Sequence, residues 1–309
     1  MLGSGIFVLP GLAFLQTGPS AYLAYLLAAL CVLPAAMSKS ELATAMPTSG
    51  GTYVYLERTF GPLMGTVAGL GLWLSLLLKS SFALIGIGAY LSVVADWPLV
   101  PTVETFLLAI VLLNIFGVGK VSQSLIIVVA LCIGMLGALT IYGLAQAETT
   151  YTAPFLTQGV DGLFAATALV FVSYAGVTKV AAIAEEVKNP KVNLPRGILM
   201  SLFVVSVLYC AVSFTLVQLF PQAVLAGNLK PIHTMAEYLG GPHLGVALSV
   251  LAILTMASMA NAGLLAASRF PFAMARDRLL PGFLGKLNPR FLTPVWSIIF
   301  SGIIVAVAI

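Results

Sequence analysis

Small residues interrupt the first apolar segment of this 309-residue sequence at a point where they could bind an anion. The run Gly3-Ser4-Gly5 places two glycines around a serine where an apolar helix would otherwise continue. Lipid offers no water to free backbone groups, so irregular backbone at membrane depth survives only against protein or around a polar cavity. Backbone N–H groups at the start of the half-helix that follows would suit a carboxylate.

A second interruption lies about 170 residues further on, in the run Ser173-Tyr174-Ala175-Gly176. Small and polar residues again break an apolar helix near its middle. Either interruption taken singly is more typical of a close-packing helix interface. The pair favours a binding site, because interrupted helices at matching places in two oppositely oriented halves are the sequence sign of an inverted-repeat transporter.

Two lysines fall inside apolar segments. Lys79 is far from both ends of its segment, and intramembrane ionisable residues usually face a cavity and serve function. Snorkelling to the membrane surface is the alternative. We expect Lys79 to face a cavity, where a lysine that loses and regains a proton could carry a coupling ion. Lys179 could either pair with Glu185 or Glu186 or belong to the site.

Two polar residues of the eighth segment, Ser258 and Asn261, leave two interpretations open. They could contribute to an ion site or line the substrate path. Polar residues in membrane helices also hydrogen-bond between helices as a structural element.

Composition places the chain in a lipid bilayer. Hydrophobic residues make up 60% of it and charged residues 8%, and the mean hydropathy is +1.08. Soluble domains carry about 25% charged residues, so a soluble fold is excluded. Alternating ten-residue strands are absent, which disfavours a barrel. The sequence therefore predicts an all-α membrane protein.

Several other functions find no support in the sequence. The glycine-rich run Ser49-Gly50-Gly51 lacks the following Lys-Ser/Thr pair of a phosphate-binding loop. The three cysteines show no metal spacing, and no Ser/His/Asp set lies at membrane depth. We expect no enzyme activity, no metal, no cofactor and no nucleic-acid partner.

Nine apolar segments can be traced. They cover about residues 2–16, 20–38, 62–95, 104–117, 121–146, 161–184, 197–219, 243–268 and 294–309. If the first segment starts in the cytoplasm, only Lys230 of the loop cations lies outside. The cations placed inside are Lys39, Arg58, Lys120, Lys188, Lys191, Arg196, Arg269, Arg276, Arg278, Lys286 and Arg290. This positive-inside bias predicts a multi-pass protein with a cytoplasmic N-terminal side.

Both end segments are short for a spanning helix, which needs about 20 residues. We therefore expect the chain to be an internal fragment of a larger protein.

Four ordered stretches resemble the amino acid–polyamine–organocation superfamily of permeases. The first-helix signature is Gly3-Ser4-Gly5-Ile6-Phe7. Pro47-Thr48-Ser49-Gly50-Gly51-Thr52-Tyr53 is similar to the loop after helix two. Glu185-Glu186-Val187-Lys188-Asn189-Pro190 and Ala275-Arg276-Asp277-Arg278 are similar to the loops after helices six and eight.

The resemblance implies an inverted-repeat, five-plus-five helix transporter fold, with about nine of about twelve helices present. Residues 1–309 would form a single transmembrane domain. The first repeat would cover about residues 1–147, and an incomplete second repeat about residues 160–309.

The resemblance also implies a substrate site at the two interruptions. Backbone N–H groups would hold a carboxylate at Gly3, Ser4, Gly5 and Ile6. Carbonyl groups would hold an amino group at Phe171, Ser173, Tyr174, Ala175 and Gly176. Phe171 and Tyr174 would gate the site. Thr178 stands where many members carry a glutamate.

The predicted function is secondary active transport of amino acids or related amines across the plasma membrane by alternating access. Protons are the expected coupling ion. Sodium coupling, exchange, and a non-transporting amino-acid sensor on the same fold are the alternatives. Substrate and lipid bilayer are the expected partners, and the oligomeric state stays open.

Overall fold

The computed structural model describes residues 2–46, 52–95, 97–117, 121–147, 154–176, 187 and 189–309. Every regular element in these ranges is a helix. The α-helices are α1 (Ser4–Phe7), α2 (Leu9–Thr17), α3 (Ala21–Ala45), α4 (Thr52–Phe60), α5 (Pro62–Leu91), α6 (Leu99–Phe116), α7 (Val121–Gln146), α8 (Gly159–Tyr174), α9 (Pro190–Leu219), α10 (Gln222–Leu225), α11 (Pro231–Arg276) and α12 (Val295–Val307). Two 3-10 turns, Gly18–Ser20 and Gly282–Gly285, complete the described elements.

Six helical stretches of the described chain are long and apolar enough to cross a membrane. They comprise Leu9–Ala45, α5, α6, residues 126–146 of α7, α9 and α11, and α8 and α12 are shorter apolar helices. The all-helical membrane class predicted from composition is confirmed.

The stretch Leu9–Ala45 folds back on itself at the turn Gly18–Ser20. The hydroxyl of Tyr25 donates to the carbonyl oxygen of Gly5 at 2.7 Å. Twenty residues of straight helix would hold these two backbones about 30 Å apart. The first and second apolar segments are therefore separate helices, as the segment pattern predicted.

Several helix boundaries differ from the predicted ones. The predicted loop between the second and third segments contains α4, an amphipathic helix of nine residues. α9 begins at Pro190 rather than near residue 197, and α11 begins at Pro231 and bends at Gly240 and Gly241. These extra turns are polar or proline-initiated, so hydropathy does not mark them.

The first interruption lies at the centre of the packed helices. α5 packs along α11 and α3 packs along α9, while α8 contacts both α2 and α3. Ile6 and Phe7 are fully buried within this arrangement. A polar contact ties α12 to the bundle, because the indole nitrogen of Trp73 donates to Oγ of Ser301 at 3.0 Å.

Candidate functional site

The first interruption begins at Gly3 and ends at Val8. Gly3 has φ of 150°, a region that side chains disfavour, and a Cβ there would lie 2.3 Å from Sδ of Met259. One helical turn, α1, follows before Val8 departs from helical geometry with φ of −120°. Close packing and backbone angle therefore both require glycine at the start of this segment.

Tyrosine hydroxyls satisfy the carbonyl groups that this interruption exposes. In a continuous helix, the carbonyls of Gly5 and Phe7 would accept from N–H groups four residues later. Here Tyr25 donates to Gly5 at 2.7 Å, and Tyr90 donates to Phe7 at 2.6 Å. Both tyrosines are fully buried, so the irregular backbone avoids the cost of unpaired polar groups in an apolar core.

The two interruptions lie against each other. A Cβ on Gly5 would be 2.7 Å from Cβ and 2.8 Å from Oγ of Ser173, and 3.0 Å from Oη of Tyr209. The hydroxyl of Tyr174 donates to the backbone oxygen of Tyr25 at 3.1 Å. Residues about 170 positions apart in sequence thus form one contact at the centre of the bundle.

A cavity of about 460 Å³ opens beside this contact, between α1, α2, α5 and α8. Its size suits a small molecule. Four residues with polar side chains line it, namely Ser4, Ser75, Lys79 and Ser173. The remaining lining is glycine or apolar and consists of Gly5, Leu9, Gly71, Leu74, Leu78, Phe82, Leu169 and Val172.

Lys79 connects α5 to the end of α8. Its Nζ donates to the carbonyl oxygen of Val172 and, at 3.3 Å, to that of Ser173. These are among the last carbonyls of α8, which lack the N–H four residues later that a continuing helix would supply and where the helix dipole favours a cation. Lys79 is 5% exposed, so the predicted intramembrane lysine lies at the cavity wall.

Ser173 also carries a buried hydroxyl beside this cavity. Its side-chain oxygen is enclosed and has no hydrogen-bond partner within the described part of the chain. Buried polar groups are usually paired, so an unpaired hydroxyl on a cavity wall indicates a place where a ligand or water can bond.

Three other predicted residues of the second interruption, Phe171, Tyr174 and Ala175, do not line the cavity. The side chain of Phe171 is 43% exposed and is not part of the cavity lining, which offers no support for the predicted gating role. Tyr174 is buried under Tyr25. Ala175 closes a turn by donating from its N–H to Val172 at 3.2 Å. Lys179 lies outside the described residues.

A second cavity of about 300 Å³ lies between α7, α9 and α11. Gly176 and Ser258 both line it, together with Thr255 and Ser201. The structure therefore places Ser258 next to the second interruption, but in a different cavity from Lys79.

Asn261 has a structural partner. Its Oδ1 accepts from Nδ2 of Asn114 at 2.7 Å, which joins α11 to α6. Of the two interpretations left open by the sequence, this contact favours the interhelical hydrogen bond for Asn261.

Sequence reasoning missed the residues that support the site. Tyr25, Tyr90 and Tyr209 surround the first interruption, and Asn114 pairs with Asn261. Their signal was available, because each is a polar group within an apolar segment. A buried tyrosine hydroxyl usually finds a partner, but the sequence does not say which backbone group it reaches.

Two of the four signature stretches, which the sequence predicts to lie on the same side of the membrane, meet in the structure. The hydroxyl of Tyr53 in α4 donates to the carboxylate of Asp277, at the end of α11, at 2.7 Å. Burial first, and then the bond to Asp277, hold the pKa of Tyr53 well above its usual range. Tyr53 also packs against Gly69 of α5, so α4 is fixed to two membrane helices.

Known proteins are similar to this sequence over nearly all of its length. The family described as "Amino acid permease" matches residues 1–309. The Branched-chain amino acid permease BcaP of Bacillus subtilis is 32% identical, covering 98% of this chain and 70% of its own length.

Two further relatives differ from this one in name or in organism. The Methylthioribose transporter of Bacillus subtilis is 31% identical over 99% of this chain and 70% of its own length. BcaP of Lactococcus lactis is 28% identical over 99% of this chain and 72% of its own length. These similarities and the family match point to a transporter rather than an enzyme. The chain belongs to the amino acid permease family.

Proposed function

We propose that this protein is a secondary active transporter that moves amino acids with apolar side chains across the plasma membrane. The observation that carries the proposal is the 460 Å³ cavity beside the contact between Gly5 and Ser173. Two interrupted helices supply backbone donors and acceptors there, and aliphatic and aromatic side chains supply the rest of the wall. This combination fits a small molecule that has a polar end and an apolar end.

The polar end of the substrate lies at the interruptions in this proposal. Its carboxylate binds the backbone N–H groups of Gly3, Ser4 and Gly5. The N–H of Ile6, which the sequence also suggested, donates to the carbonyl oxygen of Gly3 at 3.1 Å. Its α-amino group faces the carbonyl groups near the end of α8, contributed by Phe171, Ser173, Tyr174, Ala175 and Gly176. The enclosed hydroxyl of Ser173, which has no hydrogen-bond partner among the residues that the structure describes, supports a ligand at this place.

The cavity lining favours a branched apolar side chain. Leu9, Leu74, Leu78, Phe82 and Leu169 contribute most of the wall. The described part of the lining contains no acidic side chain that would hold a cationic substrate. A relative named for branched-chain amino acids agrees with this preference.

Proton coupling through Lys79 is the mechanism that we favour. Lys79 touches both the cavity and the end of α8, so a change in its protonation would alter the contact between α5 and α8. Sodium is the competing ion. For sodium, the second cavity offers the hydroxyl groups of Ser258 and Thr255 next to Gly176.

Alternating access would arise from an inverted repeat, with a first repeat at about residues 1–147 and a second at about residues 160–309. Movement of one group of helices against the other would open the site to each side in turn. The cation distribution along the chain supports a cytoplasmic N-terminal side.

Reconstitution into liposomes tests the proposal. Labelled leucine should accumulate when an inward proton gradient is imposed, and an equal sodium gradient should have no effect. Lys79→Ala should abolish gradient-driven uptake while leucine exchange continues. Failure to accumulate any apolar amino acid under either gradient would refute the transporter proposal. Sodium-driven uptake would instead mean that the coupling ion binds in the second cavity and not at Lys79.

A further inference from the structure

Lys79 bears on which substrates the cavity can accept. We infer that its ammonium group stands where a substrate's amino group would bind, so that this site also recognises apolar 2-oxo acids, which lack that group. The inference rests on the proposed function, because it concerns the same cavity.

The carbonyl groups at the end of α8 are already engaged. A carbonyl oxygen has two lone pairs. That of Val172 accepts from the N–H of Ala175 at 3.2 Å and also from Lys79. That of Ser173 accepts from Lys79 at 3.3 Å. A substrate ammonium aimed at the Val172 oxygen must therefore displace Lys79, and one aimed at the Ser173 oxygen must share that oxygen with Lys79.

Sharing the carbonyls between two ammonium groups is also unfavourable. Two positive charges a few ångströms apart repel each other strongly where water is excluded. Lys79 is 5% exposed, so little solvent screens it. A substrate without an α-ammonium avoids this repulsion and leaves the Lys79 contacts intact.

The hydrogen-bonding groups near Lys79 match an acceptor on the substrate. The hydroxyl of Ser173 is buried without a partner in the described part of the chain, and it can donate. A 2-oxo group is an acceptor only, whereas an ammonium group is a donor only. The cavity therefore offers a donor to the oxo oxygen of 4-methyl-2-oxopentanoate, whose branched tail is that of leucine.

Exchange measurements in liposomes, without any ion gradient, test the inference. The assay measures how unlabelled 4-methyl-2-oxopentanoate and unlabelled leucine inhibit the exchange of labelled leucine. We expect the inhibition constant of the oxo acid to be no more than about threefold above that of leucine. We also expect preloaded leucine to drive entry of labelled 4-methyl-2-oxopentanoate. An inhibition constant for the oxo acid more than tenfold above that of leucine would overturn the inference.

Variants of Lys79 separate its charge from its hydrogen bonds. Lys79→Met removes both and should raise the inhibition constant of the oxo acid at least tenfold relative to that of leucine, which brings its own ammonium. Lys79→Gln keeps donors for the carbonyls without the charge and should give an intermediate ratio. Lys191→Met, the same substitution at an exposed lysine, should leave the ratio unchanged.

The outcomes distinguish this inference from the proposed function. Leucine exchange that the oxo acid does not inhibit would refute the inference and leave amino acid transport standing. Absence of leucine exchange by the unaltered protein would refute the proposed function itself. Equal losses for both inhibitors in Lys79→Met and Lys79→Gln, in protein that elutes as a single species, would show that Lys79 only holds the fold.

Discussion

Gly5→Ala tests whether the two interruptions touch as the structure shows. Gly5 lies in the short helix α1, where alanine is the better helix former by about 1 kcal/mol. Local preference therefore predicts stabilisation. The added Cβ would instead meet Cβ of Ser173 at 2.7 Å and Oη of Tyr209 at 3.0 Å, so packing predicts the opposite sign.

The size of the effect follows from these distances. Carbon atoms in contact normally lie about 3.5–4.0 Å apart, so the helices must separate by roughly 1 Å. Ser173 and Tyr209 are both buried and cannot swing into solvent. Overpacking of this kind costs about 1–3 kcal/mol, which leaves a net loss of up to about 2 kcal/mol after the helix preference of about 1 kcal/mol is subtracted.

Thermal unfolding in detergent measures this loss. We expect the melting temperature of Gly5→Ala to fall by up to about 6 °C, and the rate of leucine exchange to fall with it. Gly134→Ala is the matched control, because a Cβ there meets nothing within 4 Å. That control should melt at or slightly above the temperature of the unaltered protein.

A second substitution shows whether the clash is the cause. Ser173→Gly removes two of the three atoms that crowd the new Cβ. Combined with Gly5→Ala, it should recover most of the lost stability, so that the two changes are strongly non-additive. The contact between the interruptions would be refuted if Gly5→Ala melted no lower than Gly134→Ala, or if the two losses simply added.

Three further substitutions probe the surrounding hydrogen bonds. Tyr25→Phe leaves a carbonyl of the first interruption unpaired and should cost about 1–3 kcal/mol, measured as a lower melting temperature; an unchanged value would contradict the bond. Asn114→Leu should destabilise by about 0.6–1.7 kcal/mol, and adding Asn261→Leu should restore part of the loss, whereas a larger loss in the double variant would contradict the pairing. Tyr53→Phe should cost about 1.5–3 kcal/mol by removing the bond to Asp277. Because the pKa of Tyr53 is raised, this contribution is present below the pKa of an unfolded tyrosine, about 10, and is lost only as the pH rises beyond it. The Tyr53→Phe loss should therefore be the same at pH 6 and pH 8, and a marked difference would count against this assignment.

Hydropathy located the membrane helices because a helix that crosses lipid needs a long apolar stretch. It did not locate the ends of those helices that extend beyond the apolar stretch. The predicted seventh segment began near residue 197, whereas the helix begins at Pro190. Lys191 and Asn193 lie in the turns that were missed. Helical turns beyond the apolar core can be polar, so their limits depend on proline and capping rather than on hydropathy.

The interruptions could be found from sequence, but their partners could not. Glycine next to serine within an apolar run is a local signal. The bond from Tyr25 to Gly5 depends instead on the reversal at Gly18–Ser20, and the bond from Tyr90 to Phe7 depends on how α5 packs. Contacts between helices are set by side-chain packing across the bundle, which no single segment encodes.

Lys79 shows most clearly what a contact adds to a pattern. The cost of placing a charge in a membrane predicts that such a lysine is paired and functional. This cost does not distinguish a lysine that carries a proton from one that caps a helix, because it is the same for both. The structure places its Nζ on the carbonyls of Val172 and Ser173 and its side chain on the cavity wall. Opening the cavity between α5 and α8 would have to break these bonds in a poorly solvated place. Under the proposed function, a substrate that offers its own acceptor to Lys79 would lower that cost, so recognition and movement would depend on the same ammonium group.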